Sequence, residues 1–130
     1  LLRRKRIMKK WTIVLVLLVL STALVTAQGM DFSKFPVGKW LDPNYDAVWE
    51  ATGNGLRILS PDGNVYFDFK GKTISDFSVG TRDGSPSISF YCKETGKTYY
   101  FTSPMTSKDV VLEIDRPNHP HYKVTMKPWS

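Results

Sequence analysis

The chain has 130 residues, 42% hydrophobic and 13% aromatic, and its 18 Lys and Arg against 12 Asp and Glu give a formal charge of +6. That surplus is confined to one end: Arg3, Arg4, Lys5, Arg6, Lys9 and Lys10 precede position 28 and no acidic residue does, so residues 28–130 carry no net charge with His neutral. The basicity that would point to nucleic acid or an acidic membrane surface belongs to the leading segment, and no nucleic-acid partner is expected.

In chain order, residues 1–7 read as upstream translated sequence ahead of a start at Met8. Residues 8–27 read as a cleavable signal peptide: Lys9 and Lys10 form a basic end, 11–25 an apolar stretch, and Val25 and Ala27 are small residues placed for a cut before Gln28. A spanning helix needs about 20 apolar residues. This stretch is shorter and is interrupted by Thr12, Ser21, Thr22 and Thr26, so no stable membrane anchor is expected after cleavage. The expected destination is the periplasm or the medium.

Residues 28–36 form a polar lead or arm, and 37–130 a single domain large enough for one core. Its only cysteine, Cys92, shares a strand face with Ile88 and Phe90 and reads as a small buried residue. Beyond the lead, alternating segments are separated by turn signals. A first strand around Trp40 is followed by 48–52, 56–60 and 65–70, the last two joined by Pro61-Asp-Gly-Asn, a strong hairpin signal. Then come 74–79, ended by Gly80 and Arg82-Asp-Gly-Ser, and a second hairpin, 87–93 and 98–102, around Glu94-Thr-Gly-Lys. Segments 109–115 and 121–127 complete the chain.

Apolar side chains fall at every second position. Val65, Phe67 and Phe69 share a face, as do Phe77 and Val79, Tyr99 and Phe101, Val110, Leu112 and Ile114, and Tyr122, Val124 and Met126. Such alternation describes sheets with one buried and one wet face. The expectation is an all-β fold, a small antiparallel up-and-down barrel of about eight strands, with a two-sheet β-sandwich as the alternative.

Gly38-Lys39-Trp40 lies about ten residues into the exported part, on the first strand of this meander. There the chain resembles the lipocalin-like (calycin) group, especially its short bacterial members. The resemblance implies that Gly38 and Trp40 close one barrel end, with Lys123 or Lys127 as a basic cover over the indole. A cation so placed contributes about 1 kcal/mol. It also implies a non-enzymatic binding module for a small apolar ligand or an envelope partner. The second lipocalin motif is not reproduced by Thr106-Ser-Lys-Asp-Val, and the domain is shorter than a classical member's.

The expected ligand-facing interior is Trp49, Phe67, Phe69, Phe77, Phe90, Tyr99, Phe101 and Tyr122, a set equally suited to packing a core. His119 and His121, with Asp115, are the one candidate metal pair, but the sequence has no further His and its one Cys reads as a buried strand residue, so no cofactor is expected. No phosphate loop, zinc helix or nucleophile motif occurs, and no enzyme is expected. The alternative function is inhibition of an envelope protease or lysozyme, with the lead as a blocking arm beside the barrel rim.

Overall fold

The structure, a computed structural model, describes residues 31–130. The expected upstream segment, the signal peptide and residues 28–30 of the lead lie outside the described residues. A short 3-10 turn, Phe32–Lys34, is capped by Asp31, whose carboxylate accepts the Ser33 N–H at 3.0 Å. Nine strands follow: β1 (Gly38–Asp42), β2 (Ala47–Thr52), β3 (Gly55–Leu59), β4 (Val65–Asp68), β5 (Ile74–Arg82), β6 (Ser85–Cys92), β7 (Lys97–Thr102), β8 (Val110–Asp115) and β9 (Tyr122–Pro128).

The turns explain why neighbours pair. At Asp83-Gly84 both residues have positive φ (54° and 77°), the geometry whose twist suits a two-residue hairpin. Between β3 and β4, Ser60 donates its N–H to the Asn64 carbonyl at 2.7 Å, with Gly63 at φ 93°. Between β6 and β7, Gly96 (φ 66°) returns its N–H to the Cys92 carbonyl at 2.8 Å.

All nine strands lie in one antiparallel sheet of order β4-β3-β2-β1-β9-β8-β7-β6-β5. The sheet curls through 232° and stays open, so the molecule is a half-barrel and neither a closed barrel nor a two-sheet sandwich. The unexpected feature is where it opens. The first and last strands pair, Trp40 opposite Pro128 and Leu41 opposite Lys127, whereas the consecutive strands β4 and β5 do not.

Local chemistry accounts for the gap. The β4–β5 connection is no hairpin: Phe69 donates its N–H back to Leu56, Lys72 donates to Phe69, and Gly71 turns at φ 81°. The ring of Phe69 packs into the core against Phe90 and Tyr99 from the far side of the gap, and the residue is 1% exposed. At the start of β5 a bulge between Ser75 and Ser78, with Asp76 at φ 56°, breaks the register. A second shift, between Ile58 and Leu59, places Val65 opposite Leu59 on the line of Val48 and Leu41. Val65 therefore leaves the face of Phe67 and Phe69, where the alternation had placed it, and is half exposed.

The concave face carries one core. Phe69 lies 4.8–5.8 Å, ring to ring, from Phe67, Tyr99, Phe90 and Trp49. Phe90, with no exposed surface, stacks between Tyr99 and Phe101. The lead contributes as well: Phe35 is buried against Phe77, Phe90 and Phe101 at 5.6–6.5 Å.

Candidate functional site

At the Trp40 end the half-barrel is stopped. The indole folds back over Gly38, where an added Cβ would lie 3.0 Å from the ring, so glycine is what permits the contact. The indole N–H donates to the Lys108 carbonyl at 2.9 Å. Beneath lies an apolar void of about 20 Å³ among Phe35, Trp49, Leu56, Phe101 and Met126, room for about one water. The basic cover is on the wrong side. Met126 faces the core, so Lys123 and Lys127 face the convex surface, where Lys123 stands opposite Glu113 on the neighbouring strand and Lys127 bonds Asp109 at 3.0 Å. Among the described residues the cations over rings are Lys72 on Phe67, Arg82 on Tyr100 and Arg116 on Tyr122.

The opposite end is open. There a cleft of about 270 Å³ is lined by Trp49, Ile58, Tyr99, Ile114 and Tyr122, with Tyr45, Lys97 and Arg116 at its edge. Register explains the assembly: Trp49 is opposite Ile58 on one wall, and Tyr99, Ile114 and Tyr122 are successive partners across β7, β8 and β9 on the other. The β1–β2 turn bridges the walls. Tyr122 Oη donates to buried Asp42 Oδ2 at 2.7 Å, Asn44 Nδ2 donates to Tyr122 Oη at 2.9 Å, and the Asn44 N–H donates to Asp42 Oδ1 at 2.9 Å.

Tyr45 lies 5.5 Å from the Tyr122 ring, and the Arg116 guanidinium stands 5.5 Å from that ring while donating to the Pro120 carbonyl. Burial pushes the Tyr122 hydroxyl up to about 12, the Asp42 carboxylate adding to the shift while Asn44 opposes it. Burial likewise raises Tyr99 to about 12, against the pull of its hydrogen bond to Thr95. Both phenols stay neutral at physiological pH, with their protons committed inside the protein. The cleft offers apolar and aromatic faces with Lys97 and Arg116 at the lip.

Of the eight expected interior residues, Trp49, Tyr99 and Tyr122 thus line the cleft. Phe69, Phe90 and Phe101 are consumed by the core, and Phe67 and Phe77 are half-buried beside the open seam. Ile58 and Ile114 line it too though outside that set, and Asp42, Tyr45, Lys97 and Arg116 were missed. Only Asp42-Pro-Asn, a turn signal with a side-chain acceptor, could have marked one of them.

The histidines are separated in role. His119 is exposed in the β8–β9 turn. His121 lies between two carboxylates on the convex face, Nε2 at 3.0 Å from Glu113 Oε1 and Nδ1 against Asp115 Oδ1. Glu113 also accepts from Arg82 Nε at 2.7 Å, Arg82 covers Tyr100 at 4.1 Å, and Tyr100 Oη donates to Asp115. Among the described residues no group of three or more His, Cys, Asp or Glu is placed to hold a metal ion.

Compared with protein-family models, curated proteins and solved structures, the chain matches none.

Two carboxylate oxygens facing both ring nitrogens require two donors, which only the imidazolium has. Glu113 first, then Asp115, raises the His121 pKa above its ordinary 6.5. The folded state then holds that proton more tightly than the unfolded one, so the stabilisation is full below about pH 6.5 and is lost as pH rises through the raised folded value. Glu113, held down by Arg82, and Asp115, held down by Tyr100, act oppositely: their contribution is lost as pH falls through their lowered values. The His121 ring protons followed by NMR should titrate above 6.5, and Glu113→Gln should lower the midpoint. A midpoint at or below 6.5 in the unaltered protein would contradict the clamp.

Proposed function

We propose that this is an exported, non-enzymatic binding protein that holds a small, flat, largely apolar molecule in the cleft between Trp49, Ile58, Tyr99, Ile114 and Tyr122. The observation that carries the reading is the lining of the cleft: about 270 Å³ walled by the rings of Trp49, Tyr99 and Tyr122 with Ile58 and Ile114. The larger groove at the Trp40 end, about 550 Å³, runs outside the indole among Lys39, Ser103, Ser107, Lys108 and Asp109. The cleft's volume is close to the lower end of small-molecule pockets, roughly 300 Å³, and admits one or two fused rings. Because aromatic side chains fill the interior, the ligand rests in the mouth, half in water, and a long lipid chain has no place to go. Lys97 and Arg116 at the lip favour a ligand whose exposed end carries an anionic group. The leading segment, with its basic end and apolar stretch, supports export.

The test is a panel of one- and two-ring aromatics, with and without a carboxylate, followed by NMR shifts. The expected result is a set of changes confined to Trp49, Ile58, Ile114 and Tyr122, lost on filling the cleft with Ile114→Trp. Shifts scattered over the surface, or none at saturating probe, would remove the proposal.

The inhibitor reading keeps one observation of its own. Val37, 75% exposed, and Trp129 border a surface groove at the Trp40 end, with Met105, 84% exposed, close by in the β7–β8 connection. A protein partner at that rim would leave the cleft probes undisturbed, which separates the two readings.

A further inference from the structure

Arg57, Arg82 and Arg116, the arginines of the described residues, have different neighbours. Arg57 bonds Glu50 through Nε at 2.9 Å, and Arg82 bonds Glu113 through Nε at 2.7 Å. Arg116 has no carboxylate within ion-pair distance among the described residues. Its Nε and Nη2 both donate to the Pro120 carbonyl, at 3.3 and 2.9 Å, and its guanidinium stands 5.5 Å from the centre of the Tyr122 ring. A guanidinium has five N–H donors in a rigid fork, and here one carbonyl takes the Nε–Nη2 edge. The Nη1–Nη2 edge can take a carboxylate end-on through two parallel hydrogen bonds. It has no partner among the described residues, and Arg116 lines the cleft.

The polar groups deeper in the cleft are already engaged. Tyr122 Oη donates to Asp42 and accepts from Asn44, both Asp42 oxygens accept hydrogen bonds, and Tyr99 Oη donates to Thr95. A polar group carried inward would lose its water for partners already committed, which is costly. At the lip the balance is reversed: Lys97 and Arg116 line the cleft against one carboxylate, Asp42, which is 2% exposed.

We propose that Arg116 is the specificity-determining residue of the cleft and that its ligands are planar aromatic carboxylates, the ring between the two walls and the carboxylate on the Nη1–Nη2 edge. This rests on the cleft being the ligand site, and adds which chemical group is read there and by which side chain. Pro120 holds the guanidinium in place before a ligand arrives, so little side-chain freedom is lost when the carboxylate docks. Lys97 has a different part: a point charge on a flexible stem, it draws anions of any shape to the mouth. A neutral ring of the same size gains the walls without the fork, and a cationic one is repelled at the lip.

The experiment titrates the protein, as cells release it, with naphthoate, its neutral amide and naphthylmethylamine, following the Trp49 and Tyr122 signals by NMR. Naphthoate should bind about tenfold tighter than the amide, the low end for a bidentate charged pair because the lip is open to water. The amine should bind more weakly than either. Arg116→Lys keeps the charge and loses the fork; it should erase the preference for naphthoate and leave the affinity for the amide unchanged. Arg116→Gln should do the same. Lys97→Gln should weaken naphthoate by about twofold at low ionic strength, an effect that added salt removes. Equal binding of naphthoate and its amide in the cleft would overturn the assignment and leave the cleft standing as a ligand site. A preference that survives Arg116→Lys would also overturn it, because charge alone would then suffice. So would the loss of both probes on that change, which would make Arg116 a support of the β8–β9 turn. Binding of neither probe to the unaltered protein would remove the assignment and the cleft reading together.

Discussion

Replacing Phe69 by alanine is expected to remove about 4 kcal/mol of stability, the middle of the range for a buried phenylalanine. Four rings touch it, those of Trp49, Phe67, Phe90 and Tyr99, and they come from both sides of the seam. Backbone hydrogen bonds hold every other junction of the sheet. Between β4 and β5 there is no ladder, and the Phe69 ring contacts rings from both sides of that gap. A hole there would let water reach the middle of the core from the open side. Urea denaturation of the purified protein measures the loss, and Phe69→Leu, which keeps most of the volume, should cost less than half as much. A loss below about 1 kcal/mol for Phe69→Ala would mean that the seam is closed by something other than this ring.

Replacing Phe35 by alanine should cost about 3 kcal/mol, a smaller figure because only one side of the ring faces the deep core. The consequence for function is larger than the number. An arm that works by entering another protein must be free to leave its own, and Phe35 is 6% exposed, seated on Phe77, Phe90 and Phe101. Deleting 28–35 would therefore damage the fold before it tested an inhibitor. Phe35→Ala isolates the question: an unchanged unfolding midpoint would return the lead to the role of a detachable arm, and a large drop assigns it to the core.

Much of this architecture could be read from alternation alone. The strand segments were visible because each puts apolar residues on one face, and the Pro61-Asp-Gly-Asn and Glu94-Thr-Gly-Lys turns carried their own chemistry. Closure was not visible, because it depends on a pairing that no residue announces. Lys70-Gly-Lys-Thr looks like any other turn, and Asp76 looks like an ordinary polar strand residue until its positive φ is seen. The error over Lys123 and Lys127 is of another kind. The alternation that sends Met126 inward sends both lysines outward, so the resemblance and the residue pattern disagreed within the sequence itself. For the site, Trp49, Tyr99 and Tyr122 were legible by parity, while Tyr45 and Arg116 sit in turns where no period exists to place them.

The pairing of β1 with β9 has a topological consequence. Around the sheet, the described chain behaves as a loop whose two ends already lie side by side, Trp129 donating its N–H to the Lys39 carbonyl at 2.8 Å. The break in strand pairing falls instead between β4 and β5, inside the sequence. A chain joined by a short linker from Ser130 to the lead, and begun afresh at Gly71, would keep all the strand pairings of the present one. The order in which the ribosome makes these strands is thus separable from the order in which they hold one another, and the molecule's natural beginning, structurally, is its seam.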